Sequence, residues 1–204
     1  MSLPRFYPVF DSAGWVGRGL ATGARMIQLR IKDRAEDETR AEIARARDMA
    51  RTSGALLVVN DHWRLAIELG CDWLHLGQED LDGADLVAIR RAGLKLGVST
   101  HDEAELDRAL SLAPDYVALG PVWPTILKKM PWAPQGLDRV TDWKRRAGGV
   151  PLVAIGGLTP ERGRAALAAG ADVVSAVTDI TLNPDPEARM REWLAATAAS
   201  GGAA

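Results

Sequence analysis

Eight short apolar runs, spaced at roughly 20 to 30 residues and each followed by a polar turn and an amphipathic helical pattern, constrain this chain more than any other feature. They lie near residues 6–10, 26–31, 55–59, 72–76, 94–98, 115–119, 151–155 and 172–177. Short apolar runs bounded by turn signals are what strands covered on both faces look like, as in parallel sheets with helices on each side. Eight strands alternating with eight helical patterns predict an α/β protein, a single (β/α)8 TIM barrel in preference to an open doubly wound sheet. At 204 residues the chain is long enough for one such domain over 1–204, near the lower end of the barrel's usual range. The stretch 198–204 is expected to be a disordered tail, since Ser200-Gly-Gly-Ala-Ala has little to pack.

Helix ends refine this picture. Asp33 with Glu36, and Thr100 with Glu103, have the spacing of capping boxes for the second and fifth helices. Thr159 followed by Pro160 marks the start of the seventh, which should end at Gly170.

Charge and cysteine content exclude several function classes. Lys+Arg 25 against Asp+Glu 27 leaves a formal net charge of -2, so there is no basic field to collect nucleic acid or an anionic membrane. No stretch approaches the ~20 apolar residues of a membrane span, and Met1 to Arg5 lack the apolar run of a signal peptide. A single cysteine, Cys71, rules out an internal disulfide framework and fits a small residue after a helix in a reducing compartment. A cytoplasmic protein is expected.

In barrels of this kind the chemistry sits at the carboxyl ends of the strands, and unusual polar groups gather there. In the second run, Ile27, Leu29 and Ile31 alternate with Gln28, Arg30 and Lys32, so the two sets point to opposite faces. Two cations and an amide on a partly enclosed face call for an anion, because unpaired buried charge is costly. Strand 3 ends in Asn60-Asp61, strand 4 runs into His75-Leu76-Gly77-Gln78-Glu79-Asp80, and strand 5 into Ser99-Thr100-His101. Asn60 or Asp61 either caps the next helix or binds a ligand. Carboxylates at the tips of adjacent strands, Asp61 and Asp80, could share one divalent ion, and hard oxygen ligands favour Mg²⁺. Gly156-Gly157 after strand 7 is either a plain tight turn or a second phosphate site.

The proline-rich segment 121–136 is too long for a simple turn and reads as a lid. In it Thr125 and Lys128 could reach a phosphate, while Trp123 and Trp132 either shield the site or pack the loop. His62, His75 and His101 match no zinc spacing and no nucleophile pair, so structural roles are expected for them. Trp15, Trp63, Trp73, Trp143 and Trp193 read as core or interface residues.

Together these motifs resemble the thiamine phosphate synthase (thiamine-phosphate pyrophosphorylase) family over almost the whole chain. Gln28-Leu29-Arg30-Ile31-Lys32 is similar to its Q-L-R-x-K, Asn60-Asp61 to N-D, and His75 to Asp80 to H-L-G-Q-x-D. Gly97 to His101 is similar to G-x-S-x-H, Gly120 to Thr125 to G-P-x-x-P-T, and Ala154-Ile155-Gly156-Gly157 completes the order. The resemblance implies a barrel that joins 4-amino-2-methyl-5-hydroxymethylpyrimidine diphosphate to 4-methyl-5-(2-phosphoethyl)thiazole, or its carboxylated form, giving thiamine phosphate and pyrophosphate. By position it implies that Gln28, Arg30, Lys32, Asn60, Ser99 and Lys128 hold the pyrimidine diphosphate, with Arg30, Lys32, Ser99 and Lys128 assisting its departure. Asp61 and Asp80 would bind Mg²⁺. Thr125, Gly156, Gly157, Val177 and Thr178 would hold the thiazole phosphate. The implied chemistry is loss of pyrophosphate to leave a pyrimidine methyl cation, which the thiazole nitrogen attacks, with no protein nucleophile. Small-molecule substrates are the implied partners, with neither nucleic acid nor membrane, and a homodimer is compatible.

Two positions depart from the family pattern. Leu127 replaces the second threonine of P-T-x-T-K, and Val177-Thr178-Asp179-Ile180 stands where V-S-A-I is usual. Asp179 is expected to turn away from the phosphate or to pair with a cation. A related barrel that isomerises the thiazole carries a histidine after strand 6, where this chain has Pro121. That isomerase and a non-catalytic phosphate-binding barrel are the competing readings.

Overall fold

A computed structural model describes residues 2–125 and 133–198. The chain begins with β1 (Phe6–Phe10), α1 (Ala13–Thr22), β2 (Met26–Leu29), α2 (Glu36–Thr52), β3 (Leu56–Asn60), α3 (Trp63–Glu68) and β4 (Trp73–Leu76). It continues with α4 (Gln78–Asp82), α5 (Leu86–Arg91), β5 (Lys95–Thr100), α6 (Glu103–Ser111), β6 (Tyr116–Leu119) and α7 (Gly136–Ala147). The last elements are β7 (Leu152–Ile155), α8 (Pro160–Ala168), β8 (Val173–Ala176), α9 (Thr178–Thr181) and α10 (Pro186–Thr197). Every strand pairs in parallel with the next, and β8 returns to β1 through Phe6 opposite Val174 and Tyr7 opposite Ser175. The result is the expected closed eight-stranded barrel.

The alternation read in the second run has a direct structural counterpart. Ile27, Leu29 and Ile31 are each 1% exposed and join the core between the sheet and its helices. The other face of the strands fills the barrel interior with Tyr7, Met26, Val58, Tyr116, Ala118, Val153 and Val173. Met26 and Gln28 share this inner face, so Gln28 stands directly above an apolar plug. Strand pairing in β2 stops at Leu29, two residues short of the expected end. The Arg30 amide still donates to the Phe10 carbonyl, which holds the polar continuation against β1.

Helix starts differ from expectation in two places. Helix α2 begins behind Ala35, which provides no side-chain cap, while Asp33 has a positive φ of 56°. Three acidic residues in its first turn, Glu36, Asp37 and Glu38, complement the positive end of the helix instead. At α6 the capping box is shifted by two residues. Asp102 accepts from Glu105 N, and Glu105 reaches back to the His101 amide. Thr100 stays in β5, where its hydroxyl donates to the Ala118 carbonyl and accepts from Trp143 Nε1. The cap at Thr159 with Pro160 behind it is present as expected, and Gly170 follows the helix with φ 112°.

Candidate active site

The carboxyl ends of the strands bring most of the expected residues to one mouth of the barrel. Asp61, with φ 63°, occupies the left-handed region, which a short polar side chain tolerates better than most. Its amide donates to the His75 carbonyl, fixing the end of β3 against β4. The residue in the cap position of α3 is His62, whose side chain makes no capping bond. The helix-cap alternative for Asn60 and Asp61 therefore falls away, and the Asp61 carboxylate is left to face the mouth.

There it forms an ion pair with Lys32. It also approaches Asp80. Burial, then the charge of Asp61 and a hydrogen bond to it, push the Asp80 carboxyl above its ordinary range, against the lowering influence of Lys32. A carboxyl raised by the charge of its neighbour marks a site that a cation would relieve. Among the described residues no group of three or more His, Cys, Asp and Glu side chains converges. Two carboxylates, with water and substrate phosphate for the remaining positions, is the donor set Mg²⁺ takes, so these residues fit that ion. Arg30 is half-buried, and Asn60 is 5% exposed beside it on the next strand.

Ser99 is held from two sides, by β4 and by the helix that follows it. His75 Nε2 lies 2.8 Å from its hydroxyl, and Gln78 Nε2 donates to its carbonyl at 2.7 Å. His75 is fully enclosed, and burial pushes its ring down to about 4, so it is neutral at physiological pH. Its ring stacks on Tyr116 at 5.6 Å. Gly97 makes this possible: it stands opposite Tyr116 in register, and a Cβ there would lie 2.0 Å from the phenol ring.

Across the mouth, Gly156 and Gly157 have φ of 97° and 65°. Both are also required by packing. A Cβ on Gly156 would sit 2.6 Å from Pro121 Cα, and one on Gly157 2.3 Å from the Pro124 carbonyl. The loop after β6 is bonded onto this turn, with Val122 N donating to Ile155 O and Trp123 N to Gly156 O. Arg162 reinforces the junction by donating to Gly157 O while lying 5.6 Å over the Trp123 ring. Thr125 is half-buried on the same loop. Its base is closed by Gln135 N to Pro121 O and Gly136 N to Val122 O. Leu127, Lys128 and Trp132 lie outside the described residues, and with them the expected lid.

Asp179 pairs as expected. Its carboxylate accepts two bonds from Arg189, each 2.8 Å, and one from Trp193 Nε1. Thr178 opens α9 and Val177 precedes it. Sequence reasoning passed over Ser175 in β8, two residues before Val177. Ser175 is 1% exposed, shares the inner face with Val173, and its hydroxyl has no hydrogen-bond partner among the described residues. A signal for it was present, because Val174-Ser175-Ala176-Val177 reads closer to V-S-A-I than the four residues from Val177 do.

A closed (β/α)8 barrel with paired carboxylates and cations at the carboxyl ends of its strands defines a TIM-barrel enzyme with its site at that mouth. The sequence matches the family model described as thiamine monophosphate synthase over residues 7–180. A thiamine-phosphate synthase of Rhizobium etli is 63% identical over 198 residues, 97% of each chain. One from Neisseria meningitidis serogroup B is 50% identical over 191 residues, 94% of this chain and 93% of that one. Among solved structures, a thiamine phosphate pyrophosphorylase from Pyrococcus furiosus superposes with a TM-score of 0.85 at 26% identity, covering 95% of both. A 3-hexulose-6-phosphate synthase, at 17% identity and a TM-score of 0.67, shares the fold alone. The chain belongs to the thiamine monophosphate synthase family. It is an enzyme, a transferase of thiamine biosynthesis.

Proposed function

We propose that the two substrates meet across this mouth, the pyrimidine diphosphate over β2 to β5 and the thiazole phosphate over β6 to β8. The observation that carries this reading is the Asp61–Asp80 carboxylate pair with Lys32 bonded to one member. Asp61 and Asp80 would hold Mg²⁺, which when bound supplies positive charge to the departing pyrophosphate. Arg30 and Lys32 add cationic charge to the same leaving group, and Lys128 is assigned there by position. Gln28, Asn60 and Ser99 orient the pyrimidine diphosphate. Thr125, the amides of Gly156 and Gly157, Val177 and Thr178 receive the thiazole phosphate, and Ser175 joins them. The pairing of Asp179 with Arg189 removes the charge that would otherwise oppose that phosphate.

Catalysis on this reading is electrostatic, by stabilising charge on the leaving group, with the thiazole nitrogen as the attacking atom. Among the described residues no helix is long and apolar enough to cross a membrane, and the buried free Cys71 fits a reducing compartment. The reading places the enzyme in the cytoplasm, acting on small molecules without nucleic acid or membrane, and allows a homodimer.

The test is an assay with both substrates and Mg²⁺, following thiamine phosphate and pyrophosphate together. Isomerised thiazole without coupling, or binding without turnover, would refute the reading. Asp80→Ala should keep its melting temperature and lose at least about 100-fold in coupling rate, since even outer partners of metal ligands are worth 10- to 100-fold. Full activity in that variant would remove the metal assignment.

A further inference from the structure

The barrel interior contains a hydrogen-bonded chain in which most members are too deep to touch substrate. Gln28 Nε2 donates to Tyr7 Oη, Tyr7 Oη meets Tyr116 Oη, Tyr116 Oη meets His75 Nδ1, and His75 Nε2 meets Ser99 Oγ, each at 2.8 Å. Gln28, Tyr7, Tyr116 and His75 are 5%, 2%, 0% and 7% exposed. The chain crosses from β2 through β1, β6 and β4 to β5, and only Ser99 at its far end is half-open to the mouth.

Donor and acceptor rules give this chain one direction. An amide NH₂ can only donate, so Tyr7 accepts from Gln28; a buried hydroxyl proton needs an acceptor, and among the described residues Tyr116 is the acceptor bonded to it, so the Tyr7 proton goes there. Tyr116 oxygen now accepts from Tyr7, and its own proton goes to His75 Nδ1. A neutral imidazole that accepts at Nδ1 carries its proton on Nε2. That proton is donated to Ser99 Oγ, which leaves the serine's own hydroxyl proton free to turn toward the mouth.

We propose that Gln28, Tyr7, Tyr116 and His75 form a tautomer lock, a set of positioning residues that makes Ser99 a hydrogen-bond donor to the pyrimidine diphosphate. This rests on the reading that Ser99 contacts that substrate. With the opposite tautomer, Nε2 would be an acceptor and would capture the serine proton. Ser99 would then present only lone pairs to the acceptor atoms of a diphosphate. The two faces of Gln28 are thereby linked, since the side chain placed at the substrate by position also fixes the polarity of a serine three strands away.

The experiment uses full-length protein labelled with ¹⁵N in histidine only. Ring nitrogen shifts separate protonated from unprotonated positions, and the His75 signals are those lost in His75→Gln. Wild type should show His75 protonated at Nε2. Tyr116→Phe removes the donor to Nδ1 and should shift the ring toward the Nδ1-protonated form. In the same variant the coupling kcat should fall at least about tenfold, with KM for the thiazole phosphate changed less than about twofold. Tyr7→Phe removes the bond that commits the Tyr116 proton to His75 and should raise the Nδ1-protonated fraction, by less than Tyr116→Phe does.

A wild-type ring protonated at Nδ1 overturns the proposal. So does a Tyr116→Phe protein in which either the tautomer or kcat changes without the other, or neither changes. Should that variant unfold, the wild-type tautomer decides alone. Ser99→Ala with undiminished coupling would defeat the underlying substrate reading while leaving the tautomer measurement standing, so the two failures are distinguishable.

Discussion

His75 carries a backbone carbonyl that anchors Asp61 and a side chain that anchors Ser99, so one residue holds both the carboxylate pair and the serine at the mouth. Its full burial has a thermodynamic consequence. The ring titrates near 6.5 in an unfolded chain and is held down to about 4 in the fold. Between those values the unfolded chain binds a proton that the folded one refuses. Stability from this residue is therefore complete above pH 6.5 and is lost as pH falls toward 4, by up to about 3 kcal/mol. Urea denaturation at pH 7 and at pH 4.5 should show a larger loss for wild type than for His75→Gln, which has no titrating ring. Equal losses would show that the folded ring takes up its proton as readily as the unfolded one. Nothing in the sequence signalled this residue's depth, since a histidine at a strand end reads as structural whether its ring meets water or a phenol.

At the scale of elements, the loop after β6 and the turn after β7 behave as one unit. The Gly156-Gly157 dipeptide was open to two readings in the sequence, a tight turn or a phosphate cradle. Positive φ at both glycines and the contacts with Pro121, Trp123 and Pro124 require glycine whatever the turn binds. Gly157→Ala is expected to destabilise the protein by about 1–3 kcal/mol, the range for a side chain forced into a strained and overpacked position. It should also raise KM for the thiazole phosphate more than for the pyrimidine diphosphate, because the displaced loop carries Thr125. A variant with wild-type stability and kinetics would mean that the two loops separate at little cost. The capping boxes show a related limit of local reading. The spacing of Thr100 and Glu103 was right for a cap, but the Thr100 hydroxyl is engaged by Ala118 and Trp143, and Asp102 begins α6 instead.

At the scale of the whole molecule, closure of the barrel between β1 and β8 ties the first apolar run to the last. Two fully buried tryptophans report on opposite sides of it. Trp143 on α7 donates to Thr100 at the end of β5, and Trp193 on α10 stacks on Phe6 of β1 at 5.3 Å. If residues 6–197 form one cooperative unit, tryptophan fluorescence and far-ultraviolet circular dichroism should give coincident urea transitions. Separated transitions would divide the barrel into independently unfolding parts and defeat the single-domain expectation.

Local pattern alone revealed the barrel, the order of its strands and which polar residues gather at its mouth. Burial acts through periodicity, and periodicity is local: the alternation from Ile27 to Lys32 assigns faces without knowledge of the partner strands. Motifs at strand ends likewise needed only the rule that parallel barrels do chemistry there. The tertiary structure decided which polar groups find partners. Asp61 meets Asp80, Arg189 neutralises Asp179, Ser175 is left without a partner among the described residues, and Tyr7, Tyr116 and His75 join across strands up to 109 residues apart. These outcomes depend on distances between elements remote in sequence, which no local pattern encodes.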